Sequence, residues 1–238
     1  MFLYETHLHT SEVSRCARAN AEEQLTYYKS LGYAGVFVTD HFINGNSIVP
    51  HDIPYAERIE QFCIGYEKAK SLEKKYGIDV FFGFEYSYEG TDFLIYGADK
   101  SWLLENADAY RLPVYEYLDY ARSKGALVIH AHPIREANYI KMIRLLPRNV
   151  DGVEAPNACR TEFENLMGKK YAEDYGLLNF AGSDNHVADK LRHLAGIASE
   201  TRFNDVSDMI EAVRARRVLR FELDVSEDGK PDVKYING

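Results

Sequence analysis

Six of the eight histidines in this 238-residue chain stand in four short clusters, two of which contain a carboxylate. The clusters are His7 and His9, Asp40 and His41, His130 and His132, and Asp184 and His186, with Glu85 between the second and third. Imidazole and carboxylate together are ligands for Zn, Mn or Fe, and the lack of cysteine pairs at ligand spacing points to hydrolytic chemistry rather than a structural zinc site. His7-Leu8-His9 puts both rings on one side of an extended chain, where they can grip one cation; taken alone, such a pair can equally cap a strand end. The ligand types outnumber what one ion can use. That surplus implies two or three divalent ions sharing a bridging carboxylate, with Glu85 as the bridge. Two ions about 3.5–4 Å apart acidify a water between them and clamp the attacking and leaving oxygens of a phosphoester. The expected activity is hydrolysis of a small phosphomonoester or nucleotide-type phosphoester through a metal-bridging hydroxide. Asp184 or His186 would protonate the leaving oxygen.

Such a set must be gathered by a scaffold. Short β-branched or aromatic runs at 2–6, 35–39, 80–85, 93–96, 126–130, 152–155, 178–181 and 195–198 read as strands. Between them, three- and four-residue apolar spacing predicts helices over 21–31, 55–76, 114–124, 161–175 and 205–216. Asn20 and Glu23 form a capping-box pair, Pro113 opens a helix, and Gly32, Gly77, Gly125 and Gly176 follow helical stretches. The alternation is that of β/α units, and the clusters fall at strand C-termini, where a parallel barrel builds its active site.

The net charge of −9 disfavours long nucleic acid and anionic membranes, so a phosphate-bearing substrate must be recruited by local positive charge. Two or three divalent ions supply it. No apolar run is long enough to span a membrane, and the three cysteines, Cys16, Cys63 and Cys159, suit a reducing compartment. The expectation is a cytoplasmic protein with a small phosphorylated substrate.

Glu5-Thr6-His7-Leu8-His9-Thr10, Val38-Thr39-Asp40-His41, Gly83-Phe84-Glu85, Ala131-His132-Pro133 and Gly182-Ser183-Asp184-Asn185-His186 together resemble the PHP (polymerase and histidinol phosphatase) family over residues 2–198. The resemblance implies a distorted (β/α)7 TIM-like barrel across 1–238, with a C-terminal helix and strand extension at 199–238, and metal-dependent phosphoester hydrolysis. It implies that His7, His9, Glu85 and Asp184 hold one ion, that Glu85 and His132 hold a second, and that His41 and His186 hold a third. Relatives often add a ligand beyond the 93–96 strand, where this chain offers Asp99. They also supply Asp or His shortly after the His-x-His pair, where this chain reads Ser14-Arg15-Cys16. Glu12 comes early for that role and Cys16 is the remaining donor, so the third position is weak, thiolate-ligated or vacant.

Asp40, next to a ligand, is expected to orient an imidazole from behind. His130 and His132 share one side if their strand continues, with His130 a pocket or core histidine. Arg15, Arg135, Arg160 and Arg192 are candidate phosphate contacts. Two rival readings remain: an amidohydrolase-like hydrolase of C–N or C–O bonds, and a non-catalytic, metal-stabilised binding domain.

Overall fold

The computed structural model describes residues 1–236. Its strands are β1 (Phe2–Leu8), β2 (Gly35–Val38), β3 (Asp79–Tyr88), β4 (Thr91–Tyr96), β5 (Leu127–Ala131), β6 (Gly152–Asn157), β7 (Leu178–Gly182), β8 (His193–Ser199), β9 (Leu219–Val225) and β10 (Pro231–Ile236). Its helices are α1 (Ala21–Ser30), α2 (Tyr55–Phe62), α3 (Ile64–Tyr76), α4 (Lys100–Glu105), α5 (Val114–Ser123), α6 (Glu162–Tyr175) and α7 (Val206–Arg214). All ten strands join one sheet in the order β10-β9-β8-β1-β2-β3-β4-β5-β6-β7. The sheet curls until the segment after β7 meets β1. There the His9 N–H donates to the Asn185 carbonyl (3.0 Å) and the Asn185 N–H to the His7 carbonyl (3.1 Å).

This α/β architecture departs from a ring of seven parallel β/α units. β4 is antiparallel to both β3 and β5, and β8 to both β1 and β9. A parallel crossover needs a dozen or more residues, but only Glu89 and Gly90 join β3 to β4, both at positive φ (48° and 82°), which makes a tight hairpin. β1, β2, β3, β5, β6 and β7 therefore run in one sense, and β4 and β8 against it.

The expected capping box at Asn20 and Glu23 is formed, and a second, at Thr161 and Glu164, starts α6. The single helix expected over 55–76 is two, broken at the fully buried Cys63. The break sets α3 hard against the loops that follow β1 and β2: a Cβ on Gly65 would lie 2.5 Å from Asp40 Oδ2. Inside the curl, Tyr4, Phe37, Phe81, Tyr96, Ile129 and Phe180 form one cluster, completed by Met209 and Val213 of α7. Outer clusters seat the helices on the sheet. Full burial of each such side chain stabilises by about 1.5–3 kcal/mol. Among the described residues no helix is long and apolar enough to cross a membrane.

Candidate metal centre

Strand alternation alone would not aim His7 and His9 inward. Tyr4 lies in the inner cluster, so Thr6 and Leu8 should follow it, yet Leu8 packs in an outer cluster with Leu3. The parity changes because the β1–β2 register shifts between Glu5 and Leu8, a bulge that re-aims the side chains beyond it. Glu5 secures the shift. Its Oε1 accepts the N–H groups of Thr6, His7 and Ser183, each at 2.9 Å, and its Oε2 accepts the Tyr28 hydroxyl at 2.7 Å. Burial pushes the Glu5 carboxyl up to about 7 against these bonds.

Glu85 enters from β3, His41 just after β2, His132 after β5, and Asp184 and His186 after β7. His132 (φ 28°) and Asp184 (φ 56°) both have left-handed backbone, uncommon for residues other than glycine and often found at functional sites. At His132 this turn breaks the expected alternation. The two histidines of β5 part company: His130 stacks on Phe93 at 4.8 Å beneath α6, while His132 swings into the site. Burial drives the His130 pKa down to about 3, so it is a neutral core residue.

His7 Nε2 lies 3.5 Å from both Glu85 Oε1 and Asp184 Oδ1, and His9 Nε2 lies 3.3 Å from Asp184 Oδ1 and 3.6 Å from Glu85 Oε2. His132 Nε2 is 3.1 Å from Glu85 Oε1, and His41 Nδ1 is 2.5 Å from Glu85 Oε2 but not aligned for a hydrogen bond. His7 Nε2, His9 Nε2, His41 Nδ1 and Glu85 Oε2 are all buried without a hydrogen-bond partner. Each such atom costs about 1–3 kcal/mol, and four converging on one spot are relieved together by cations between them. Three groups bring their ligand atoms within 4.8 Å of one another: His7, Glu85 and His132; His7, His9 and Asp184; and His9, His41 and His186. The nitrogen and oxygen donors present fit borderline divalent ions.

The partners behind the rings fix which nitrogen faces inward. His7 Nδ1 bonds Glu154 Oε1 at 2.9 Å. Ser14 Oγ donates its one proton to Asp40 Oδ1 (2.7 Å), so at 3.0 Å it must accept from His9 Nδ1–H, leaving a bare lone pair on Nε2. His186 Nδ1 donates to the Asp184 carbonyl at 2.8 Å. Burial would depress the His7 and His41 pKa values, but Glu154 and Asp184 outweigh it at His7, and Glu85 at His41, so both rise well above the ordinary range. His9, buried against His186 and His41, falls well below it. Burial opposes ionisation of Glu85 and Asp184, yet His41 acting on Glu85 and His7 acting on Asp184 lead the neighbours that hold both far below the usual carboxylate range.

Asp40 stands behind the site, accepting from the Thr10 N–H (2.6 Å), the Thr10 hydroxyl (2.7 Å) and Ser14, with burial raising its pKa to about 6. Cys16 Sγ sits 3.1 Å from His41 Nε2; burial opposes its ionisation, but hydrogen bonds from His186 and His41 pull the thiol down to about 6. Other expected residues lie elsewhere. Asp99 is an exposed cap on α4, accepting the Trp102 N–H at 2.8 Å, because the reversed β4 carries its C-terminal end away from the site. Glu12 is taken by Lys68 Nζ (2.6 Å) and the Ala21 N–H. Arg15 bonds the Ser47 carbonyl and Arg192 the Ser226 carbonyl, and neither lines the cavity over the site. That cavity, about 570 Å³, is lined by Arg135, Arg160, Asp92, Tyr139, His41, Asp184 and His186 among others.

Residues that the sequence reading passed over complete the site. Glu154 holds His7 and also accepts the His132 N–H at 3.1 Å and Asn157 Nδ2 at 2.8 Å; a lone Glu in the apolar run Gly152-Val153-Glu154-Ala155 was its only signal. Asp92, the second residue of β4, lies at the site end and pairs with Arg135 at 2.8 Å.

No family model and no curated protein matches this chain. Solved structures do. A two-domain protein from Bacteroides vulgatus, named as containing a predicted PHP-like metal-dependent phosphoesterase, superposes with a TM-score of 0.68 at 13% identity over 92% of this chain. The chain spans 64% of the length of that protein. A protein from Bifidobacterium adolescentis named as a metal-dependent phosphoesterase gives 0.54 at 15% identity, covering 90% of this chain and 96% of its own. An amidohydrolase from Chromobacterium violaceum, solved with bound sulfate and no metal, gives 0.51 at 14% identity, covering 91% and 97%. This chain therefore carries the fold of proteins named as PHP-like metal-dependent phosphoesterases.

Proposed function

We propose that the protein is a metal-dependent phosphoesterase acting on a small phosphorylated molecule. The observation that carries this reading is the convergence of unpartnered buried ligand atoms behind His41, Asp184 and His186, which line a cavity together with Arg135 and Arg160. In this reading His7, His9, Glu85 and Asp184 hold one ion, Glu85 and His132 a second, and His41 and His186 a third. Divalent ions, of the Zn, Mn or Fe kind, supply Lewis acidity when bound: they acidify water and neutralise phosphate charge.

The chain's own groups do the rest. Glu154, and Asp40 through Ser14, hold His7 and His9 in the tautomers that present Nε2 inward. Arg160 and Arg135 line the cavity, where their guanidinium groups would meet a phosphate oxygen. Asp92 holds the far end of Arg135 in place. His186, the most exposed of the site imidazoles at 21%, is the group placed to return a proton to the leaving oxygen, whereas Asp184, held ionised beside His7, serves as a ligand.

The test is hydrolysis of an aryl phosphate set beside an ester, a lactone and an amide, by metal-stripped protein and after readdition of Zn²⁺, Mn²⁺ or Fe²⁺. Phosphoester turnover that depends on the added ion is expected. Turnover by stripped protein would refute the mechanism, and turnover confined to the ester, lactone or amide would establish the amidohydrolase-like reading instead.

A further inference from the structure

The loop between β1 and α1 carries one donor with no assigned work. Cys16 is exposed at the rim of the cavity, its Sγ 3.1 Å from His41 Nε2. The loop is pinned on both flanks: the Arg15 N–H donates to the Asn46 carbonyl (2.9 Å), and the Arg18 N–H to the His186 carbonyl (2.8 Å). The thiol is thus held beside His41 and His186 rather than left to wander. The loop's own carboxylate, Glu12, is committed to Lys68 and to the start of α1.

A second observation points to a ligand here. His9, His41 and His186 bring a ring nitrogen each within 4.8 Å of one another. Of the two nitrogens of His9, fully buried, Nδ1 is taken by Ser14 and Nε2 has no partner. Nδ1 of His186 is held by the Asp184 carbonyl, so Nε2 is the nitrogen that this ring turns toward Cys16 and could offer to a cation.

We propose that Cys16 is a thiolate ligand of a cation held with His41 and His186, so that this outermost metal position selects a soft ion such as Zn²⁺ over Mn²⁺. The inference rests on the metal-hydrolase reading above and adds to it the ligand and the preference. Thiolate favours Zn²⁺, whereas carboxylate-rich positions, such as those around Glu85 and Asp184, also accept Mn²⁺. As the sulfur–metal bond forms, the thiol proton leaves to solvent; nothing is oxidised or reduced.

Metal-stripped protein titrated with Co²⁺ tests this, with bound ions counted by elemental analysis beside the near-ultraviolet thiolate-to-cobalt charge-transfer band. The band is expected in the native chain, and in Cys159→Ser, whose sulfur lines the same cavity 3.6 Å from the Asp184 carbonyl. It is expected to vanish in Cys16→Ser. Cys16→Asp should keep the ion count without the band and shift the Zn²⁺ over Mn²⁺ preference by more than about tenfold, since even partners behind a ligand change affinity that much. Bound Co²⁺ without the band, or a band that survives Cys16→Ser or is lost in Cys159→Ser, overturns the thiolate assignment alone. Native protein that retains no ion overturns the metal-hydrolase reading with it.

Discussion

Ser14→Ala tests whether the site depends on the relay behind it. The Ser14 hydroxyl is 1% exposed and takes part in three bonds: it donates to Asp40 Oδ1 at 2.7 Å and accepts His9 Nδ1–H and the His41 backbone N–H, each at 3.0 Å. Alanine leaves three buried groups short of a partner. At about 1–3 kcal/mol for each unsatisfied group, and with a water able to restore part of the loss, the expected destabilisation is about 2–4 kcal/mol. The imidazole also loses the acceptor that fixes its tautomer, so affinity for the ion nearest His9 should fall about 10- to 100-fold. Urea denaturation of metal-stripped protein reads the first quantity, and competition against a chromophoric chelator the second. Asp40 also holds Thr10 but reaches the His9 ring through Ser14, so Asp40→Asn combined with Ser14→Ala should cost less than the sum of the two single losses in metal affinity. An additive cycle, or a Ser14→Ala protein that binds metal as tightly as the native chain, would refute the relay.

Two further outcomes follow from the same geometry. Glu5 has a folded-state pKa of about 7 against an ordinary 4.5, so its contribution to stability is fully present below pH 4.5 and is lost as pH rises through 7. That is about 3 kcal/mol at 1.36 kcal/mol per unit. Urea unfolding at pH 5 and pH 8 should show this decline in native, metal-stripped protein and a flatter profile in Glu5→Gln; equal slopes would show that Glu5 does not govern it. A Cβ on Gly182 would lie 2.5 Å from Glu154 Oε1 and 2.7 Å from His7 Cβ. Gly182→Ala should therefore cost about 1–3 kcal/mol of stability and displace His7, reducing the ions retained on elemental analysis. Native metal content in that variant would mean that the His7 and Glu154 contact can yield.

Much of the scaffold was legible in the chain. The eight strands expected before residue 200 are present, and the capping residues Asn20 and Glu23 act as their types suggest, because strand patterning and caps are set by neighbours a few residues apart. Local spacing also set limits. The hairpin at Glu89 and Gly90 lies within the stretch 86–92 left between the expected strands; the resemblance placed a ligand beyond the second of them, at Asp99, whereas the reversal of β4 brings Asp92 to the site instead. Arg15 and Arg192 looked equivalent to Arg135 and Arg160 because nothing in a loop sequence says which way an arginine turns.

The amino-acid sequence by itself determined the chemistry on offer: imidazoles and carboxylates, recurring at strand ends, with types that suit divalent cations. Tertiary structure alone decided which of them meet and which nitrogen each presents. The bulge that Glu5 holds turns His7 and His9 inward, the left-handed turn at His132 separates it from His130, and Glu154 and Ser14 choose the tautomers. Those decisions rest on hydrogen bonds between residues brought together from distant parts of the chain. Residue type and local spacing carry no record of such contacts until the sheet curls and makes them.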